Sequence, residues 1–335
     1  MWNGKKYLPY LLASIEKQDF KDFDVFILDN NSQDDSVDIC SNAILTKNQS
    51  IQIITNHTNL GFAGGHNKLF EMTKGYEYVL LVNQDLVFEL DCFEKLVNHL
   101  DKNKNTGAVS PRLMKWKNSE TDVFEKSDII DSLGTKKNKN WSFEELNSGE
   151  TWPRKMAVGH HVVIKNETML DCVLDVMCVS GTAPMYRREV VDKVKYSDQE
   201  VFDRLYESYK EDIDLGLRIN AIGYKNITLL DAVAYHDRSA AQEGKSLLQQ
   251  VVNKKKQAKH IKYNSYKNHI MLLLKFYDSK VDRLAIFAVL WYELGKFVYY
   301  LISSPRVLLG WLYILKNIHT IYKKRIFISK LKKQK

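Results

Sequence analysis

Cysteine is scarce and unpaired. The four thiols, Cys40, Cys92, Cys172 and Cys178, form no CxxC pair and match no metal-site spacing. That excludes a disulfide scaffold and a zinc module, and it fits reduced thiols of a cytosolic compartment. Proline is nearly as rare, at five residues, and with 44% hydrophobic and 27% charged residues the chain is not an extended disordered one. No internal repeat is present, which argues against a solenoid. The opening MWNGKKYLPYLL lacks a basic region followed by a long apolar run, so it does not read as a secretory signal. What remains is enough apolar material, over 335 residues, for one sizeable domain and an appendage.

Charge is unevenly spread. Residues 251–335 hold nineteen Lys and Arg against three Asp and Glu, a surplus of 16, while the whole chain carries only +8, so the first 250 residues carry −8. An acidic body with a basic tail argues against a nucleic-acid-binding body. It predicts a tail that meets an anionic surface, most simply the cytoplasmic leaflet of the cell membrane.

The first 110 residues alternate helical and strand signals. Helices are predicted over 6–18, 34–46 and 93–100, and the glycine-rich turn NLGFAGGHN (59–67) leads into another that runs through about residue 74. Short continuous apolar runs, DVFILDN (24–30), IQIIT (51–55) and YVLLVNQD (78–85), predict buried strands that end in polar residues. Such alternation predicts an α/β fold with a Rossmann-like, mostly parallel sheet covered by helices on both faces, and ligands at the strand ends. Residues 115–175 are polar and predict a long irregular excursion. A strand, turn and helix follow over 175–194, a loop feeding a helix over 202–225, and a strand over 227–237. Beyond about residue 244 the chain becomes basic, then aromatic and apolar. Residues 1–244 therefore form the expected catalytic domain and 245–335 a helical appendage. LAIFAVLWYELGKFVYYLIS (284–303) is long enough to span a bilayer but carries Glu293 and Lys296 near its middle, and VLLGWLYILKNI (307–318) is too short. These predict helices lying in the interface, with KKRIFISKLKKQK adding contacts to lipid head groups; an ordinary amphipathic capping pair is the alternative.

Four segments carry candidate chemistry. In ILDNNSQDDS, Asp29 at a strand end suits a nucleobase or ribose, with Asn30 and Ser32 in the turn, although Ser32 or Asp34 capping a helix explains part of the run. In NLGFAGGHN, Gly61, Gly64 and Gly65 permit close backbone approach, and the following helix N-terminus favours a diphosphate. In VNQD, Asn83 and Asp85 lie two apart and face one ligand if the chain is extended. A carboxylate beside a diphosphate implies a hard cation, against the alternative of a strand-end turn. In YKEDIDLGLR, Glu211, Asp212 and Asp214 crowd a helix start, where they complement the helix dipole or supply a base for a hydroxyl. His236 closes a strand and either completes a metal site or is a core histidine.

Seven stretches together, WNGKKYL, ILDNNSQDDS, NLGFAGGHN, LLVNQD, SGTAPMYRRE, FDRLYESYKEDIDLGLR and YHDRSA, resemble in order the family-2 glycosyltransferases of GT-A fold, and within them the rhamnosyltransferase-like branch. The resemblance covers about residues 2–240 and includes the membrane-associating tail. It implies that Asp29, with Asn30 and Ser32, binds the base or ribose, and that Asn59, Gly61, Phe62 and Asn67 line the nucleotide site. Asp85 is the metal contact of an Asp-x-Asp motif whose first position is Asn83 here. Gly181 and Thr182 sit near the sugar and acceptor. Asp212, beside Glu211, is the general base, and His236 contacts metal or diphosphate. Family members begin with a strand ahead of the WNG-type turn, whereas this chain begins at Met1-Trp2-Asn3-Gly4, so a truncated or late-assigned start is expected.

The resulting expectation is a metal-dependent (Mg2+ or Mn2+) inverting hexosyltransferase, peripheral at the inner face of the cell membrane. It would move a sugar, rhamnose at branch level, from a dTDP- or UDP-sugar to a lipid-linked or cell-envelope polysaccharide acceptor, with no nucleic acid as partner. The alternatives are a metal-dependent nucleotidyltransferase and an inactive membrane-surface binding relative that lacks the first strand.

Overall fold

The computed structural model describes residues 1–43, 51–118, 123–152, 157–158, 162–165, 168–169, 172–237, 258–278 and 285–334. The boundary expected at residue 244, residues 44–46 of the second helix and the end of YHDRSA lie outside them.

The chain opens with α1 (Leu8–Glu16), β1 (Val25–Asp29), α2 (Ser36–Ser41), β2 (Ile51–Thr55), α3 (Gly61–Met72), β3 (Tyr78–Leu80), β4 (Leu86–Phe88) and α4 (Cys92–Lys102). Pro9 in the first turn presets φ for α1. Gly61, at φ +67°, turns the chain into α3. In α4, Phe93, Leu96 and Leu100 repeat at helical spacing and are buried.

The middle of the chain differs from its polar appearance. β5 (Thr106–Asn118) and β6 (Phe124–Ser132) form a long antiparallel pair, and the short strands β7 (Thr135–Lys137) and β8 (Phe143–Glu145) pair in turn. Shorter pieces follow: β9 (Ala157–Val158), β10 (Val162–Lys165), β11 (Thr168–Met169) and β12 (Val173–Val176). An irregular excursion is thus corrected, among the described residues, to strands of the main sheet and of two small ones. The first six residues of β6 are exposed or half-buried and only its last three are buried, so its polar residues reach water and break the apolar signal. β13 (Met185–Arg187), α5 (Arg188–Val194), α6 (Glu211–Ala221) and β14 (Lys225–His236) complete the body.

Two ladders matter for the site. β1 and β2 pair in parallel. A seven-stranded sheet runs β12-β14-β5-β13-β3, with β4 on β14 and β6 on β5. Its longest ladder, β5 with β14, is parallel, and the shorter strands join antiparallel. Met1 lies along β1: its amine donates to Leu28 O and its carbonyl accepts from Asn30 N, at 2.6 and 2.9 Å. The expected strand over 78–85 is split, because the amides of Leu81 and Asn83 donate to Pro184 O and Thr182 O rather than continuing one ladder. One core cluster gathers residues of α3, α5 and α6 and another those of α1 and α4.

The C-terminal region adds α7 (Lys259–Phe276), α8 (Ala285–Ser303), α9 (Gly310–Lys316) and α10 (Ile318–Leu331). Its apolar residues share a core with Cys178, Tyr206 and Ile213 of the body. Part of its basic surplus is used inward. Buried Lys275 sits 2.7 Å from Asp203, and Lys324 lies 2.6 Å from both Asp203 and Glu200. Arg325 donates to Leu274 O and Tyr277 O. Lys324 and Arg325 of the terminal basic run therefore serve the fold and not a lipid head group.

Candidate active site

Parallel strands end their ladders on one side, and the polar residues just beyond them are free of sheet pairing. Here those ends are knitted into a ring of contacts. Asp29 closes β1, is buried, and accepts from Ser32 Oγ at 2.5 Å and from Ser32 N. Ser32 Oγ also accepts from Asn3 N at 2.9 Å, which ties the WNG turn to this strand end. Asn30 Oδ1 accepts from Asn56 Nδ2 at 2.9 Å, and a side chain at Gly65 would run into the Asn30 amide at 3.0 Å.

The glycine-rich turn comes next. Asn59 Oδ1 accepts from Gly61 N at 2.8 Å and so shapes the entry to α3. Glu207 O accepts from Ala63 N, and a Cβ on Gly61 would approach the same oxygen at 3.1 Å. The turn is thereby packed against the loop 203–210 that leads to α6. Phe62 stacks on His66 at 4.0 Å and meets Phe202 edge-on. Asn67 is buried, and its amide group is spent on the Phe202 backbone, donating to its carbonyl and accepting from its amide. It stands in the wall and fixes the loop.

The loop is strained at its end: Glu207, Tyr209 and Lys210 all have positive φ. It delivers Glu211, Asp212 and Asp214 to the first turn of α6, and their environments separate the three. Asp214 is fully buried and paired with Arg218 at 2.7 Å and with Lys275, which places it in the structure of the helix and not in a cleft. Glu211 is buried, and its carboxyl is pushed well above the usual range by burial and then by the neighbouring Asp212. Asp212 is partly exposed. It accepts from Gly181 N at 3.0 Å and Ile213 N at 2.8 Å. Burial raises it above the ordinary carboxylate value, with these two amides and Lys210 acting the other way. Burial thus raises both carboxyls, and of the two Asp212 is the one that stays partly exposed.

Gly181 closes the ring. A Cβ there would lie 2.9 Å from Asp212 Oδ2, so only glycine lets the 180–183 segment approach the carboxylate. Thr182 is buried and hydrogen-bonded through its hydroxyl to Ser180, and its carbonyl receives Asn83 N. Asn83 leads to Gln84, whose amide exchanges hydrogen bonds with the Trp2 backbone, and then to Asp85. His236 ends β14 opposite Leu86, directly beside Asp85. His236 Nε2 is 3.4 Å from Asp85 Oδ2, and Nδ1 is 2.9 Å from Asp131 Oδ2. Burial lowers the affinity of His236 for a proton, but the two carboxylates more than offset it and hold the pKa up at about 9.

A half-buried carboxylate and an imidazole nitrogen side by side are donors suited to Mn2+ or Mg2+. Among the described residues no group of three or more His, Cys, Asp or Glu forms a candidate ion site. Asp85 and His236 are the two donors this end of the sheet would offer such a cation. Asp131 and Lys210 are not singled out by any motif. Asp131 lies in the polar stretch 115–175, and its strand becomes visible only through its pairing with β5.

The model of the family described as "Glycosyl transferase family 2" matches residues 1–195. No curated protein sequence matches the chain. Among solved structures, GalNAc-T7 with UDP, GalNAc and Mn2+ superposes with a TM-score of 0.54 at 12% identity, covering 81% of this chain and 46% of that one. The chain thus spans about half the length of that structure. TarS 1–349 of S. aureus superposes with a TM-score of 0.51 at 14% identity, covering 100% of this chain and 90% of that one.

Proposed function

This chain belongs to glycosyl transferase family 2, and on that premise we propose that it is an inverting glycosyltransferase using a nucleotide-diphosphate sugar. The observation that carries the reading is the ring of strand ends that joins Asp85 and His236, through Asn83, Thr182 and Gly181, to the carboxylate of Asp212.

Asp212 takes the proton from an acceptor hydroxyl, and its raised pKa strengthens it as a base at neutral pH. The oxygen then attacks the anomeric carbon opposite the departing diphosphate, and a single displacement inverts that centre. Asp85 and His236 hold the divalent cation, which when bound offsets charge on the leaving diphosphate. Asp29, with Asn30 and Ser32, receives the nucleoside, and Gly61 with Asn59 and Phe62 shapes the turn beside it. The Mn2+ and UDP present with GalNAc-T7 support a cation and a nucleotide donor. Rhamnose and a lipid-linked or cell-envelope acceptor rest on the branch resemblance.

Membrane contact is part of the same proposal. α8 is the one helix among the described residues long and apolar enough to cross a bilayer. Its stripe Phe287, Leu290, Trp291, Leu294, Leu301 and Ile302 faces outward, with Trp291 78% exposed. The opposite stripe turns Val289, Glu293, Lys296 and Tyr300 toward the protein. Glu293 lies 2.8 Å from His269 of α7 and 3.1 Å from Lys296. A soluble helix buries its apolar face; this one exposes it, which supports lying in a lipid interface with its charges neutralised inward.

Two measurements test the reading. Melting of the full chain with UDP, dTDP or GDP, with and without Mn2+, is expected to rise with one nucleotide and further with metal. Asp212→Asn is expected to reduce turnover at least about 100-fold while keeping that shift. Full turnover in the variant refutes the base. No shift with any nucleotide refutes the donor site.

A further inference from the structure

Burying a carboxylate is unfavourable unless a partner compensates it, and Asp131 is fully buried. It lies on β6, where the ladder with β5 steps from Leu113↔Ser132 to Met114↔Ile130. Asp131 is the residue skipped between these pairs, and such bulges commonly re-aim a side chain beside a functional site. Its Oδ2 is 2.9 Å from His236 Nδ1, on the side of the ring away from Asp85.

We propose that Asp131 is the positioning residue of the cation site, holding His236 through Nδ1–H so that Nε2 is the nitrogen presented to the divalent cation, which displaces the Nε2 proton to solvent on binding. The proposal rests on the reading that Asp85 and His236 bind that cation. An imidazole has two faces that can ligate, and the hydrogen bond at one nitrogen decides which is offered. Here the bulge aims the carboxylate at Nδ1, and the pairing of β14 with β4 leaves Nε2 toward Asp85.

The test is Mn2+ binding to the full-length chain, followed by the electron paramagnetic resonance of free Mn2+, in the presence of whichever of UDP, dTDP or GDP raises the melting temperature. Asp131→Asn is expected to weaken Mn2+ binding about 10- to 100-fold, with metal-free nucleotide affinity unchanged, and Asp131→Glu to recover part of the loss. Mn2+ binding in Asp131→Asn equal to that of the unmodified chain, with His236→Gln impaired, overturns the role of Asp131 and leaves the cation site standing. Unimpaired binding in His236→Gln overturns the cation reading itself. Should Asp131→Asn fail to fold, 15N NMR of histidine-labelled unmodified chain with Mg2+ and the nucleotide decides. His236 protonated at Nδ1 and bare at Nε2 supports the proposal, and the reverse tautomer overturns it.

Discussion

At the residue scale the closest tolerance is between Gly181 and Asp212. The Gly181 amide donates to the carboxylate, and an added methyl would sit 2.9 Å from Oδ2. Real Cβ atoms do not approach that closely, so Gly181→Ala must shift the segment or turn the carboxylate. A displacement of this kind at a reacting group costs about 100-fold in rate. We expect kcat to fall by that order while nucleotide affinity by calorimetry is unchanged. A normal kcat would mean that Asp212 tolerates displacement and is not the base. Glu211, one residue earlier, does not substitute for it. Its carboxyl is buried and is pushed well above the usual range by that burial and by the neighbouring Asp212.

At the element scale the loop before α6 is a strained segment held from outside. Asn268 of α7 donates to three of its carbonyls, Tyr206, Ser208 and Tyr209, at 2.7 to 2.9 Å. Lys275, two turns further along α7, pairs with Asp203 at the loop's start and Asp214 beyond its end. Burial opposes the charged carboxylates, but Lys275, helped by Lys324 at Asp203 and by Arg218 at Asp214, holds both below the ordinary range. Removing one cation from such a group leaves buried charge uncompensated, at a cost of about 3–5 kcal/mol. Lys275→Met is therefore expected to lower the unfolding free energy by that order, read as a fall in the urea midpoint at unchanged m. An unchanged midpoint would show that Lys324 and Arg218 suffice. α7, which shares a core with the helices that present an apolar face outward, thus also holds the segment that leads to Asp212.

At the scale of the whole molecule, the body and the C-terminal helices meet in one core, and the outward faces of α8 to α10 expose Trp291, Ile302, Leu312 and Tyr322. Burying such area is favourable at about 25 cal/mol per Å2. The double substitution Phe287→Ser and Trp291→Ser removes two of the largest exposed groups, each more than three-quarters exposed. We expect at least about a tenfold loss in sedimentation with anionic vesicles, with an unchanged melting temperature. Retained binding would assign the attachment to the basic residues alone.

Local pattern by itself determined the alternation of helices and strands over the first 110 residues, the glycine turn into α3 and the placement of Asp29, Asp85, Asp212 and His236 at element ends, because burial periodicity and turn chemistry act over a few residues. It also marked α8 as apolar, with charges near its middle. Tertiary structure decided which of three crowded acids stays partly exposed, since Asp214 is paired not only with Arg218 one turn along its own helix but with Lys275, which arrives from α7. It assigned Asn67 to the wall through the Phe202 backbone, 135 residues away. It turned a polar stretch into β6 and brought Asp131 to His236, 105 residues later in the chain. Those outcomes depend on long-range hydrogen bonds and ion pairs, which leave no local periodicity for a sequence to display.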